Sequence, residues 1–87
     1  MHAIEIELPA SFPLNHRRYF KRSEIEHLKR TLIAKATGAP LPAYEQPDAE
    51  AFVNASQVAR ELGISRRTMA RRIAEAEARM AEAGRAA

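Results

Sequence analysis

Apolar and polar positions change their period along this chain, and each change predicts an element. Residues 3–8 (AIEIEL) alternate strictly, with Ile4, Ile6 and Leu8 on one side and Glu5 and Glu7 on the other. That is the period of a short, half-buried strand. Its expected partner is the basic stretch 17–21, reached through a loop over residues 9–16, which would set Glu5 and Glu7 across from Arg17, Arg18 or Lys21. A two-stranded ribbon is unstable alone and must lay its apolar face on helices. An N-terminal arm that orders only against a second copy is an equally open reading. In residues 16–22 (HRRYFKR) neighbouring aromatics must face opposite sides of a strand, so one of Tyr19 and Phe20 packs inward.

The period then becomes helical. Ser23 and Glu26 have the spacing of a capping box, and Ile25, Leu28, Leu32, Ile33 and Ala36 form an apolar stripe that predicts a helix to Thr37. Gly38 ends it, and Pro40 and Pro42 prevent its resumption. Residues 39–51 (APLPAYEQPDAEA) read as a surface linker with Tyr44 pinned to the core and an extra helical turn starting near Asp48. It is long for a compact domain.

Residues 52–83 carry the strongest pattern. Asn54 with Gln57 makes an N-cap, Val53 and Val58 a hydrophobic staple, and Val58, Ala59 and Leu62 one apolar face. Ala59 is small enough for a second helix to approach, and Gly63 can adopt the left-handed conformation that turns the chain. Ile64 plugs the corner. Ser65 caps a second helix with the stripe Met69, Ile73, Ala76 and Met80. At about 100° per residue, Arg67 and Arg71 lie nearly opposite that stripe, flanked by Thr68, Ala70 and Ala74. The whole is a helix-turn-helix with an outward arginine pair.

Arginines at i and i+4 near a helix start can fork onto the O6 and N7 acceptors of guanine in a major groove. Arg67 and Arg71 are therefore candidate base contacts, with Thr68 and Ala70 short enough to let the helix approach and to touch a thymine methyl. Ser65, Arg66 and Arg72 are placed for phosphates, as are Arg17, Arg18, Lys21 and Arg22 of the N-terminal basic segment. A helical hairpin with a solvated basic face is the plain alternative for the first set, and a charge-protected edge strand for the second. The tail, residues 74–83, continues the helix, and Ile73, Ala76, Met80 and Ala83 keep a spacing suited either to a dimer seam or to a monomer's packed helix end.

The run ARELGISRRTMARRI resembles the helix-turn-helix of Fis-type and of excisionase or MerR-type DNA-binding proteins, in which a small residue, leucine-glycine-isoleucine-serine, a threonine and a basic pair recur in this register. The resemblance implies that the helix from Ser65 is the recognition helix, with Arg66, Arg67, Thr68, Arg71 and Arg72 at the DNA. RRYFKRSEIEHLKR resembles the basic strand and capped helix of excisionase and AlpA-like proteins. In those families that unit follows the helix-turn-helix, whereas here it precedes it.

Composition narrows the picture. The 87 residues have room for a single small domain whose core is marginal, so a homodimer is expected. Net charge is +3, divided as −2 over residues 1–15, +5 over 16–38, −3 over 39–53 and +3 over 54–87, which suits a polyanionic partner. There are no cysteines, hence no disulfide or thiolate metal site, and His2, His16 and His27 lack ligand spacing. No apolar run approaches the ~20 residues of a membrane span, and no signal-peptide pattern opens the chain, so a soluble cytoplasmic protein is expected. Glycines sit at helix ends rather than in a phosphate loop, and serines lack a neighbouring base, so neither catalysis, a cofactor nor a small-molecule ligand is expected.

The sequence thus predicts a mainly α domain with a small N-terminal β element: a ribbon over residues 1–22, a helix over 23–38, a linker over 39–51 and the helix-turn-helix over 52–83. The expected function is sequence-specific binding of double-stranded DNA by a homodimeric transcriptional repressor of the kind carried by phages and mobile elements. The alternatives are an excisionase-like architectural factor and a DNA-packaging or protein-interaction adaptor.

Overall fold

The computed structural model describes residues 6–86, which form three strands and three helices in the order β1 (Phe12–Leu14), β2 (Arg17–Lys21), α1 (Arg22–Thr37), β3 (Phe52–Asn54), α2 (Ala55–Leu62) and α3 (Arg66–Ala86). The mainly helical class with a small β element is as expected. The sheet differs from the expected ribbon: it is three-stranded and antiparallel, with β2 in the centre.

Two short segments that the sequence assigned elsewhere supply its edges. Phe12 to Leu14, expected as loop, pairs with β2 in the register Phe12↔Tyr19 and Leu14↔Arg17. The connection is a two-residue turn with positive φ at Asn15 (50°) and His16 (65°), the backbone that matches the twist of a tight hairpin. Pro13 is tolerated because β1 is an edge strand. Phe52 to Asn54, expected as the entry to a helix, pairs with the other side of β2 as Phe20↔Val53 and Lys21↔Phe52. The strand expected over residues 3–8 is not the ribbon partner. Its first three residues lie outside the described residues, and residues 6–8 run without strand pairing while Leu8 inserts into the core. Glu5 lies outside the described residues too, and the carboxylate that meets Arg18 is Glu77 of α3, at 2.6 Å.

Phe20 points inward and is fully buried, whereas Tyr19 faces out, as strand alternation requires. Around Phe20 the core gathers Leu8, Ile25, Leu28, Val53, Val58, Ala59, Met69 and Ala76. Every element except β1 contributes. Along α1 the inward face is Ile25, Leu28 and a half-buried Leu32. Ile33 (64% exposed) and Ala36, expected in that stripe, face solvent instead, while Ala34 is buried. In α3 the stripe ends at Ala76; Met80 and Ala83, expected to continue it, are exposed because the helix has run past the core.

The start of α1 is capped from a distance. Lys21 occupies the cap without a side-chain bond, and Ser23 and Glu26 form no capping box. Instead the Glu50 carboxylate of the linker accepts from the Ser23 backbone N–H (3.2 Å) and hydroxyl (2.6 Å), and Ala51 O accepts from Arg22 N–H (2.8 Å). The Ser23 hydroxyl bond is the main reason the Glu50 carboxyl lies below its ordinary range, and negative charge there also answers the helix dipole. Tyr44 is pinned to the surface of α1 rather than the core, with its hydroxyl 2.9 Å from Ser23 Oγ and its ring edge-on to His27. The linker carries no helical turn. Its length is explained by this return path, which carries the chain across α1 and back to the sheet.

Helices α1 and α2 are joined by charge. Glu61 accepts two bonds from the Arg22 guanidinium, at 2.6 and 3.1 Å, and one from Lys29, and Glu26 bonds the same two cations. Its side chain is only 18% exposed. Bonding to Arg22 and then Lys29 holds the Glu61 carboxyl at about 2, against an ordinary 4.5. Because the folded value is the lower one, the stabilisation is complete above pH 4.5 and is lost as pH falls toward about 2. Glu61→Gln should therefore lower stability by about 1–2 kcal/mol at neutral pH, partial exposure screening the pairs, and should flatten that acid limb in thermal melts followed by circular dichroism. An unaltered acid limb would contradict the assignment.

Gly63, at φ 70° and ψ 31°, ends α2 in the left-handed region. A Cβ added there meets nothing within 4 Å, so the demand for glycine comes from backbone conformation and not from space. Gly63→Val should cost about 1–3 kcal/mol in chemical denaturation, and Gly63→Asn appreciably less.

Candidate nucleic-acid interface

The interface is built from α2, its turn and α3. Asn54 Oδ1 accepts from Gln57 N–H at 2.8 Å, fixing the start of α2. The reciprocal half of the expected capping box is missing, since Gln57 Nε2 bonds Glu61 and its Oε1 accepts from Arg60. Val53 and Val58 are both buried in the core, as a staple across the cap requires. After Gly63 the chain is tied back by Ile64 N–H to Ala59 O at 3.0 Å, and Ser65 Oγ accepts from Thr68 N–H at 3.1 Å to cap α3. Ala59 is buried where α2 crosses α3, and Met69 is buried on the facing side. Caps and core together fix the roll of α3.

That roll decides what α3 displays. Arg66, Arg67, Ala70 and Arg71 are exposed, with the Arg71 side chain at 63% and its Nε 4.0 Å from Glu75. Arg67 and Arg71 share one side of the helix, away from Met69 and Ala76. Thr68 is half-buried, its hydroxyl accepting from Ser65 Oγ at 3.0 Å, so both side chains already serve the cap. Arg72 sits on the flank, 22% exposed, with Nη1 3.0 Å from Glu75 Oε2.

The hairpin of β1 and β2 lies beside this helix. Between them is an open groove of about 600 Å³, lined on the hairpin side by His16, Arg17 and Arg18, on α2 by Arg60 and on α3 by Arg66 and Ala70. Arg17 is exposed; Arg18 reaches over the groove to Glu77 and to Ser11 Oγ at 3.4 Å. Lys21 is exposed at the far end of β2, and Arg22 is spent in the pairs with Glu61 and Glu26. Of the N-terminal basic segment, then, the fold brings Arg17 and Arg18 to α3 and takes Lys21 and Arg22 elsewhere.

Arg60 was missed by the sequence reading. Its signal is a polar position on α2 adjoining the apolar face, but only the placement of the hairpin makes it part of a basic groove. Charge segregation was equally invisible: Glu61 is drawn to the opposite side by Arg22 and Lys29, leaving arginines around the groove.

These features agree with the comparison to known families. Residues 53–75 match the family model of bacterial regulatory proteins of the Fis family, a helix-turn-helix that spans α2, the turn and the first part of α3. No curated protein and no solved structure matches the chain at significance. Over residues 53–75 the chain is thus similar to the helix-turn-helix of bacterial regulatory proteins of the Fis family.

Proposed function

We propose that this protein is a sequence-specific double-stranded DNA-binding regulator, a transcriptional repressor that acts as a homodimer with α3 in the major groove. The observation that carries the reading is the exposed guanidinium row of Arg66, Arg67 and Arg71 on a helix whose roll is fixed by the turn at Gly63. Arg67 and Arg71, with Ala70 and Thr68 between and beside them, face the base edges. A forked arginine there reads guanine through two acceptors, and the short Ala70 permits close approach. Ser65 and Arg66 at the helix start hold phosphates, and Arg17, at the tip of the neighbouring hairpin, holds a further one. Arg18, Arg72 and Lys21 are secondary contacts, the first two needing to exchange Glu77 or Glu75 for phosphate. Arg22 is assigned to the fold.

Dimerisation is supported by α3 itself, whose last turns carry an exposed Met80 beyond the core and offer a helical face to a second copy. Two recognition helices would then meet half-sites one helical turn apart. The hairpin beside α3 favours a second reading, an excisionase-like factor that uses a basic wing to bend DNA and assemble in arrays. Among the described residues no helix is long and apolar enough to cross a membrane. A cytoplasmic setting follows from the proposed duplex target.

Selection from a random duplex library gives the decisive test. A palindromic motif is the expected outcome, and no enrichment at low ionic strength would reject the reading. On the selected site, Arg67→Ala or Arg71→Ala should cost about 1–3 kcal/mol and relax preference at one position. Equal losses on selected and random duplex would remove both from the base edges. Arg17→Ala should instead weaken binding on every sequence and reduce the slope of log affinity against log salt by about one.

A further inference from the structure

The sheet has a face that the helix-turn-helix does not use. Strand alternation sends Phe20 and Arg18 toward the helices and Arg17, Tyr19 and Lys21 outward, and the pairings Phe12↔Tyr19 and Lys21↔Phe52 put both phenylalanines on that outer face. Three rings there touch in sequence. Phe12 stacks on Tyr19, with centroids 6.2 Å apart and planes at 25°, and meets Phe52 edge-on at 5.2 Å. Phe52 remains 56% exposed and Leu14 51%. Arg17 and Lys21 are exposed on the same face, and none of the three strands contains a carboxylate, although Glu50 in the linker just before β3 lies near Lys21.

We propose that this outer face is a second nucleic-acid site, a stacking platform for an unpaired strand, with bases laid on Phe52 and the Phe12–Tyr19 pair and phosphates held by Arg17 and Lys21. Aromatic rings on a small sheet bind single strands without sequence preference because every base has a π-face, and cations beside the rings follow the backbone. Charge selects this occupant over a second copy. Two such faces packed about a twofold axis would bury the rings but would also bring four cations together with no carboxylate on the strands to answer them. A polyanion meets the same cations favourably. Arg17 also borders the groove beside α3, but Phe12, Tyr19 and Phe52 do not line it, so substitution of the rings tests this site separately from α3.

The test is fluorescence anisotropy with a labelled oligothymidine of roughly 15 nucleotides, within the usual range of single-strand sites, alongside a labelled duplex. The native chain should bind the oligothymidine. Phe52→Ala should weaken that binding by about tenfold, the loss of one stacked base, while the protein stays folded at the assay temperature and duplex affinity is unchanged, and Phe52→Trp should restore it. Arg67→Ala should show the converse, losing the selected duplex and keeping the single strand. Failure of duplex binding alone would thus strike the function proposed for α3 and leave the platform standing. The platform is overturned if the native chain does not bind oligothymidine, or if Phe52→Ala binds it as well as the native chain does. Sedimentation of the same variants identifies the alternative: a Phe52→Ala protein that falls from dimer to monomer with oligothymidine affinity intact makes this face a contact between copies.

Discussion

Burial of the Phe20 ring is the constraint on which the rest of the structure rests. It sits on the central strand, fully excluded from solvent, where the sheet meets α1 and α2. Because side chains on a strand alternate, committing Phe20 to the inside commits Arg18 inward and Arg17, Tyr19 and Lys21 outward. A one-residue slip of β2 would exchange the two sets, exposing the largest core side chain and burying three polar or charged ones. Such a slip would forfeit about 2–3 kcal/mol of transfer free energy from the ring alone before any charge is buried. The register of β2 in turn fixes where the hairpin turn falls, and with it the approach of Arg17 and Arg18 to α3.

Small cores leave little to spare, and here polar contacts carry work that a larger protein leaves to burial. Glu50 closes the start of α1 from the end of the linker, Glu61 ties α1 to α2, and Arg79 reaches back to Leu8 O at 3.5 Å along the flank of α3. Each links parts of the chain far apart in sequence. The same contacts sort the charges. Glu26 and Glu61 are drawn to the α1–α2 seam and Glu75 and Glu77 to the flanks of α3, which leaves Arg66, Arg67 and Arg71 exposed on α3 and Arg17 and Lys21 exposed on the sheet. A chain with modest net charge thereby presents surfaces of one sign, which is the property a polyanion responds to.

The helix-turn-helix holds α3 through backbone chemistry at three points: the Asn54 cap, the left-handed Gly63 and the Ser65 cap. The last two lie outside the sheet, while Asn54 is also the end of β3, paired with Tyr19. The hairpin and α3 meet through ionic contact, Arg18 with Glu77, and an open groove rather than a dry interface. A basic hairpin thus lies beside a helix whose roll is fixed by its own caps and turn.

Local chemistry made some of this legible in the sequence and left the rest hidden. The Asn54 and Ser65 caps, the glycine turn, the inward Ile25, Leu28, Val58 and Met69, and the outward Arg67 and Arg71 are set within a few residues by helical period and side-chain type, so the sequence alone determined them. Residues 6–8, expected as part of a strand, form none, because alternation reports only that a segment is half-buried and not what it pairs with. Strands β1 and β3 are three residues each, too short for any period, and exist only because β2 offers a bonding edge on both sides. The fates of Arg18, Arg22 and Arg72 were undecidable from sequence, since an arginine's role depends on whether a carboxylate from elsewhere reaches it first. Sequence determined the helix that displays the arginines; only tertiary structure decided which cations stay free for a partner, because pairing across the fold is set by distance in space and not along the chain.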